Sequence, residues 1–132
     1  MVLVLKVENY IRSSIYWFLM VLTGVVIGLL TVLTFPFHVD TRYKFARSWA
    51  LLNLCLLKHI CKLGYHVEGT ENIPDEGVVV LCKHQSTWDT MILQKILPQV
   101  RWVLKRELLR VPFFGWGLAM LKPIAIDRAA GH

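Results

Sequence analysis

The chain has 132 residues, 55% of them hydrophobic, with a mean hydropathy of +0.50 and a formal charge of +6. Such a length accommodates one small domain, not a membrane segment plus a complete enzyme of ordinary size, and the apolar excess implies a membrane before any motif is read. The positive charge suits an anionic lipid surface or a phosphorylated substrate; nucleic acid is set aside because no recognised binding fold or zinc-finger spacing accompanies it.

Met1 to Arg12 form a short amphipathic lead carrying Lys6, Glu8 and Arg12, and Ser13 to Phe37 contain no charged residue. As a helix the uncharged stretch would extend about 37 Å, enough to span a hydrocarbon core of roughly 30 Å with tilt. It is too long for a removable signal peptide and lacks a small-x-small cleavage site. Gly24-x-x-x-Gly28 within it offers a close helix-packing surface.

Pro36 and Asp40 mark a break, and a second helix is predicted from about Thr41 to Leu63. Its uncharged centre, Ser48 to Leu57, is too short to span a bilayer. Lys44, Arg47, Lys58 and Lys62 share one face with Leu51 and Cys55 between them, which favours a helix lying in the headgroup region over a domain helix packed on a sheet. Arg42, Lys44 and Arg47 outweigh Lys6 and Arg12 across the apolar segment, so the positive-inside rule puts the C-terminal portion in the cytoplasm. Whether the N-terminus crosses the bilayer or returns through a hairpin stays open.

From Tyr65 the pattern changes to short strands and turns. Tyr65 to Gly69 reads as a strand, Glu71 to Gly77 as a polar turn, and Val78 to Cys82 as a buried strand. Ser86 or Thr87 then caps a helix whose apolar stripe is Trp88, Met91, Ile92 and Ile96, ended by Leu97-Pro98. Val100 to Leu104 is a further strand, Phe113 to Leu121 a short helix, and Pro123 to Ile126 a last strand. Strands alternating with helices argue for an α/β sheet with parallel pairings. Cys55, Cys61 and Cys82 lie in apolar stretches and read as free buried thiols of a reducing compartment, Cys82 as core packing. No metal site is predicted, since further ligands at zinc-like spacing are lacking.

His84 and Asp89 lie five positions apart, a step that puts two side chains roughly 140° apart on one continuous helix. They meet only if the backbone breaks between them, with His84 at the strand's carboxyl end and Asp89 in the first turn of the next helix. A carboxylate so placed fixes one imidazole nitrogen while the other takes a proton from a substrate hydroxyl. Ser86-x-x-Asp89 is equally a capping box, a signature that needs no catalysis, and on the pair alone the capping reading is preferred.

Downstream, Lys105-Arg106-Glu107-Leu108 followed by Pro112-Phe113-Phe114-Gly115, then Ile124-Ala125-Ile126-Asp127-Arg128, stand in the order and spacing of the glycerolipid acyltransferases. From about residue 60 to the C-terminus the chain resembles the bacterial-type 1-acyl-glycerol-3-phosphate acyltransferase family, whose first motif is His-x4-Asp. The resemblance implies a two-helix membrane motif, residues 1–63, ahead of a cytoplasmic α/β domain, residues 64–132, with a mixed, partly parallel sheet and flanking helices. It implies His84 as the base and Asp89 as its orienting partner, with Lys105, Arg106, Glu107, Pro112 and Gly115 lining the glycerophosphate site, Arg128 near the substrate and Asp127 structural.

The reaction implied is acyl transfer to lysophosphatidate, giving phosphatidate at the cytoplasmic face of the inner membrane. Acyl-CoA or acyl carrier protein is the donor and no separate cofactor is needed; the remaining partners are membrane lipids, with no nucleic acid. A thioester is already activated, which fits the lack of a Gly-x-Ser-x-Gly nucleophile. Glycerol-3-phosphate or another lysophospholipid remains a possible acceptor, and a noncatalytic membrane-anchored module is the reading from a different class. The family normally continues to Phe-Pro-Glu-Gly-Thr-Arg, beyond the sequence ending at His132, so the resemblance predicts a truncated piece, inactive by itself.

Overall fold

A computed structural model describes residues 2–127, with side chains from Lys6 onward. Helix α1 runs over Val2–Leu33 and α2 over Val39–Ile60, joined by a tight turn at residues 34–38. The two pack along each other as a hairpin. One helical stretch, Lys6–Leu33, is long and apolar enough to cross a membrane.

Within the hairpin several buried polar groups bond to nearby backbone, although Asn53 Oδ1, Trp49 Nε1 and Arg42 Nε are buried without a partner among the described residues. Buried Thr31 donates to the Ile27 carbonyl at 2.7 Å, and Thr34 to that of Thr31 at 2.6 Å. Asn53, fully buried on α2, donates from Nδ2 to the Thr23 hydroxyl at 3.2 Å and to the Trp49 carbonyl at 2.9 Å. The opposite face of α1 is apolar and open: Ile11, Ile15, Phe18, Leu22, Val26 and Leu29 recur at helical spacing and are all exposed. An exposed apolar stripe of that extent is unusual on a monomeric soluble domain.

Helix α3, Thr87–Ile96, packs against α2, and its Met91 sulfur also meets the Tyr16 hydroxyl of α1 at 3.9 Å. Ala50 and Leu54 of α2 meet Met91 and Ile92 of α3 in the buried core, with Met20, Trp49, Tyr65, Val67, Trp88 and Ile96 around them. Helix α2 therefore packs against two helices, as a domain helix would. Its predicted basic face is only partly as expected: Lys44, Leu51, Cys55 and Lys58 are exposed, but Arg47 is half-buried and donates to the Lys95 carbonyl at 3.0 Å.

The sheet is smaller than the sequence predicts. Strand β1, Val103–Lys105, pairs in parallel with β2, Ile124–Ile126, in the register Leu104 to Ala125, and no other strand occurs among the described residues. A five-residue 3-10 segment, Arg106–Arg110, and helix α4, Phe114–Ala119, form the crossover. Tyr65 to Gly69 and Val78 to Cys82 are not strands. A strand exists only through its ladder partners, and none of the described residues pairs with either segment. Val79 and Leu81 are accordingly 89% and 94% exposed, which also removes Cys82 from any core. Cys55 is likewise exposed and Cys61 only half-buried, so the expectation of buried thiols fails for both exposed residues.

Candidate active site

Helix α3 begins where the sequence predicts, with Ser86 in an extended conformation as its N-cap and Asp89 closing a capping box. Asp89 Oδ2 accepts the backbone N–H of Ser86 at 2.8 Å and of Gln85 at 2.6 Å. The same oxygen lies 3.3 Å from His84 Nδ1. Capping and pairing with the imidazole are thus not alternatives, because one carboxylate oxygen does both. The two backbone donors hold the Asp89 carboxyl below the usual carboxylate range, Ser86 contributing most and His84 less.

The sites of the two side chains differ. Asp89 is only 17% exposed, whereas His84 is 63% exposed. One imidazole nitrogen faces a fixed anion and the other faces solvent, the arrangement a general base requires. Among the described residues no cluster of His, Cys, Asp and Glu could hold a metal ion.

The second group begins at the end of β1. Lys105 is exposed and leads into the 3-10 segment carrying Arg106, Glu107 and Arg110, also exposed. Arg106 Nη1 lies 3.9 Å from Asp127 Oδ2 at the end of β2. Arg128 lies outside the described residues. After Pro112 the chain makes an unusual turn: Phe113 has φ 63° and ψ −62°, and the Phe114 N–H donates to the Pro112 carbonyl at 2.7 Å. This is a γ-turn of the rare, strained hand. Phe113, Phe114 and Trp116 are exposed, not core, with Phe113 and Trp116 edge to face at 5.2 Å. Gly115 is buried: a β-carbon there would lie 2.5 Å from the Leu108 carbonyl oxygen, so its service to the block is close packing.

Lys105, Arg106, Glu107, Pro112 and Gly115 are gathered by the packing of α4 on the 3-10 segment. No hydrogen bond or ion pair among the described residues joins them to His84 or Asp89. Two supporting residues carried no motif. The Tyr43 hydroxyl donates to the Val100 carbonyl at 2.6 Å and accepts the Val100 N–H, fixing the approach to β1. Arg42 donates to the carbonyls of Phe35, Phe37 and Met120, tying the hairpin turn to the end of α4. The only sequence signal for either was a polar residue on the core-facing side of an amphipathic helix.

The Acyltransferase family model matches residues 64–132. Over 121 residues the chain is 43% identical to the 1-acyl-sn-glycerol-3-phosphate acyltransferase of Pseudomonas aeruginosa, covering 90% of this chain and 47% of that protein. The enzyme of that name from Saccharomyces cerevisiae is 33% identical over 75 residues, 56% of this chain and 25% of its own length. A chloroplastic counterpart from Arabidopsis thaliana is 28% identical over 114 residues, 84% of this chain and 30% of its own. The chain therefore spans about half or less of the curated relatives it matches. No solved structure matches it.

Proposed function

Because the chain belongs to the acyltransferase family, we propose that it carries the base and part of the acceptor site of an enzyme that acylates the free hydroxyl of 1-acyl-glycerol-3-phosphate. Acyl-CoA or acyl carrier protein is the donor and phosphatidate the product. The carrying observation is the His84 Nδ1 to Asp89 Oδ2 approach of 3.3 Å with the far side of the ring open.

In this reading His84 Nε2 removes the acceptor hydroxyl proton as the oxygen attacks the thioester carbonyl. The tetrahedral intermediate collapses, the carbon–sulfur bond breaks, and the departing thiolate takes the proton back from the imidazolium. Each turn forms one ester, breaks one thioester and returns His84 to its neutral form. Asp89 keeps Nδ1 protonated and stabilises the transient imidazolium. Lys105 and Arg106 grip the acceptor phosphate with charge-assisted hydrogen bonds, and Pro112 and Gly115 shape the turn beside them.

Residues 1–63 form the membrane-associated part in this proposal, with the open apolar face of α1 in contact with lipid and the chain from Tyr65 onward on the cytoplasmic side of the inner membrane. The decisive experiment is His84→Ala in the full-length protein. Loss of acyl transfer by about 100- to 10,000-fold is expected, the share of a positioned base, with membrane association intact because the ring is mostly exposed. Near-normal thioester turnover in that variant removes His84 from the mechanism.

A further inference from the structure

Where α1 crosses α4 the two backbones touch. A β-carbon built on Gly28 would lie 2.8 Å from the Phe113 carbonyl oxygen and 3.2 Å from its carbon. From the other side, a β-carbon on Gly117 would lie 2.9 Å from Gly28 Cα and 3.1 Å from its oxygen. Both neighbours are main chain, which cannot rotate away as a side chain can, so the crossing needs glycine on each helix. Gly24, one turn earlier, differs: its β-carbon would sit 3.5 Å from the Trp49 indole nitrogen, an ordinary contact.

The group that Gly28 faces is the carbonyl of the strained residue. Phe113 has a positive φ that a bulky side chain rarely adopts, and such a conformation persists only where the surroundings over-determine it. Here they do. The Gly117 N–H donates to the Phe113 carbonyl at 3.0 Å, and the Gly28 backbone closes the side toward α1. On the far side, a β-carbon on Gly115 would lie 2.8 Å from the Leu109 carbonyl oxygen, so the turn is clamped against the segment that carries Arg106 and Arg110.

We infer that Gly28 is a positioning residue for the acceptor: its bare backbone holds the Pro112–Phe113–Phe114 turn in its strained form and, through Gly115, keeps the Lys105–Arg110 segment placed for the acceptor phosphate. This rests on the acceptor site proposed above. A methyl group at Gly28 cannot be absorbed by a rotamer change; α1 and α4 have to separate, and the turn moves with α4.

The test compares Gly28→Ala with Gly24→Ala in the full-length protein in membranes. For Gly28→Ala the KM for lysophosphatidate rises roughly 10- to 100-fold, the scale of an ångström-sized misplacement, while the KM for the acyl donor is unchanged; Gly24→Ala leaves both unchanged. If Gly28→Ala does not accumulate, Gly117→Ala opens the same crossing from α4 and carries the comparison. A readout without turnover is protection of Lys105 from an amine-acetylating reagent as lysophosphatidate is titrated, with the midpoint shifting by the same factor in Gly28→Ala. Equal changes in both KM values, an unmoved midpoint, or no protection of Lys105 in the unmodified protein overturns the inference. A shifted midpoint in a protein that transfers no acyl group leaves the inference standing and overturns the proposed function instead.

Discussion

Asp89→Asn separates the two services of one carboxylate oxygen. Asparagine caps nearly as well as aspartate, and its single carbonyl oxygen can still accept the Ser86 and Gln85 N–H groups that Oδ2 accepts at 2.8 and 2.6 Å. Helix α3 should therefore keep its stability. The imidazole loses an anion 3.3 Å away, which in the proposed mechanism orients the ring and stabilises the transient imidazolium. A positioned base is worth about 100- to 10,000-fold, and the 63% exposure of His84 lets water screen the pair, so the lower end, about 100-fold, is expected.

The assay is thiol release from acyl-CoA in the presence of lysophosphatidate, run beside a thermal melt. Protonation of Asp89 does not mimic the variant near neutrality. Its folded carboxyl is held low by the Ser86 and Gln85 donors, so its contribution is fully present above the unfolded carboxylate value and is lost only as pH falls through the lower folded one. A variant that melts normally and turns over at the unmodified rate refutes the reasoning and leaves Asp89 a cap alone. Asp89→Ala should lose on both measures, because it removes the cap as well.

Lys105→Ala should raise the KM for lysophosphatidate by about one to two decades, the value of one charge-assisted hydrogen bond, with the donor KM unchanged; equal losses for an acceptor without phosphate would remove Lys105 from phosphate binding. Alkaline carbonate should leave the protein in the membrane pellet, given the open apolar stripe of α1. A cysteine label placed between Glu71 and Gly77 should react from the cytoplasmic side alone, and reaction from outside intact cells would reverse the proposed orientation.

The helices were legible because their signals are local. The uncharged run gave α1, Ser86-x-x-Asp89 gave the start of α3, and Pro98 its end. The parallel sense of the β1–β2 pairing followed from alternation of element types, but which strands would pair did not. The exposed run Val78 to Leu81 was misread because apolarity says that a segment seeks cover, not which residues supply it. Gly24-x-x-x-Gly28 announced a close approach, yet nothing in the spacing pointed to Gly117 of the same chain. Phe113 gave no warning at all, since an aromatic residue is among the last expected at a positive φ. At the site, the His84 and Asp89 spacing was legible, but the shared oxygen was not, because it depends on how the backbone at Gln85 and Ser86 turns.

The Arg42 contacts imply an order of assembly. The turn carbonyls of Phe35 and Phe37 lie seven and five residues before Arg42, whereas the Met120 carbonyl lies 78 residues after it. Synthesis from the N-terminus completes the hairpin first, with the guanidinium already holding the turn and its third acceptor not yet made. Docking of α4 is then a late, long-range event whose loop-closure cost falls on a preformed seat rather than on a disordered chain. A ribosome stalled just short of Met120 should consequently expose a protected hairpin beside a protease-sensitive remainder.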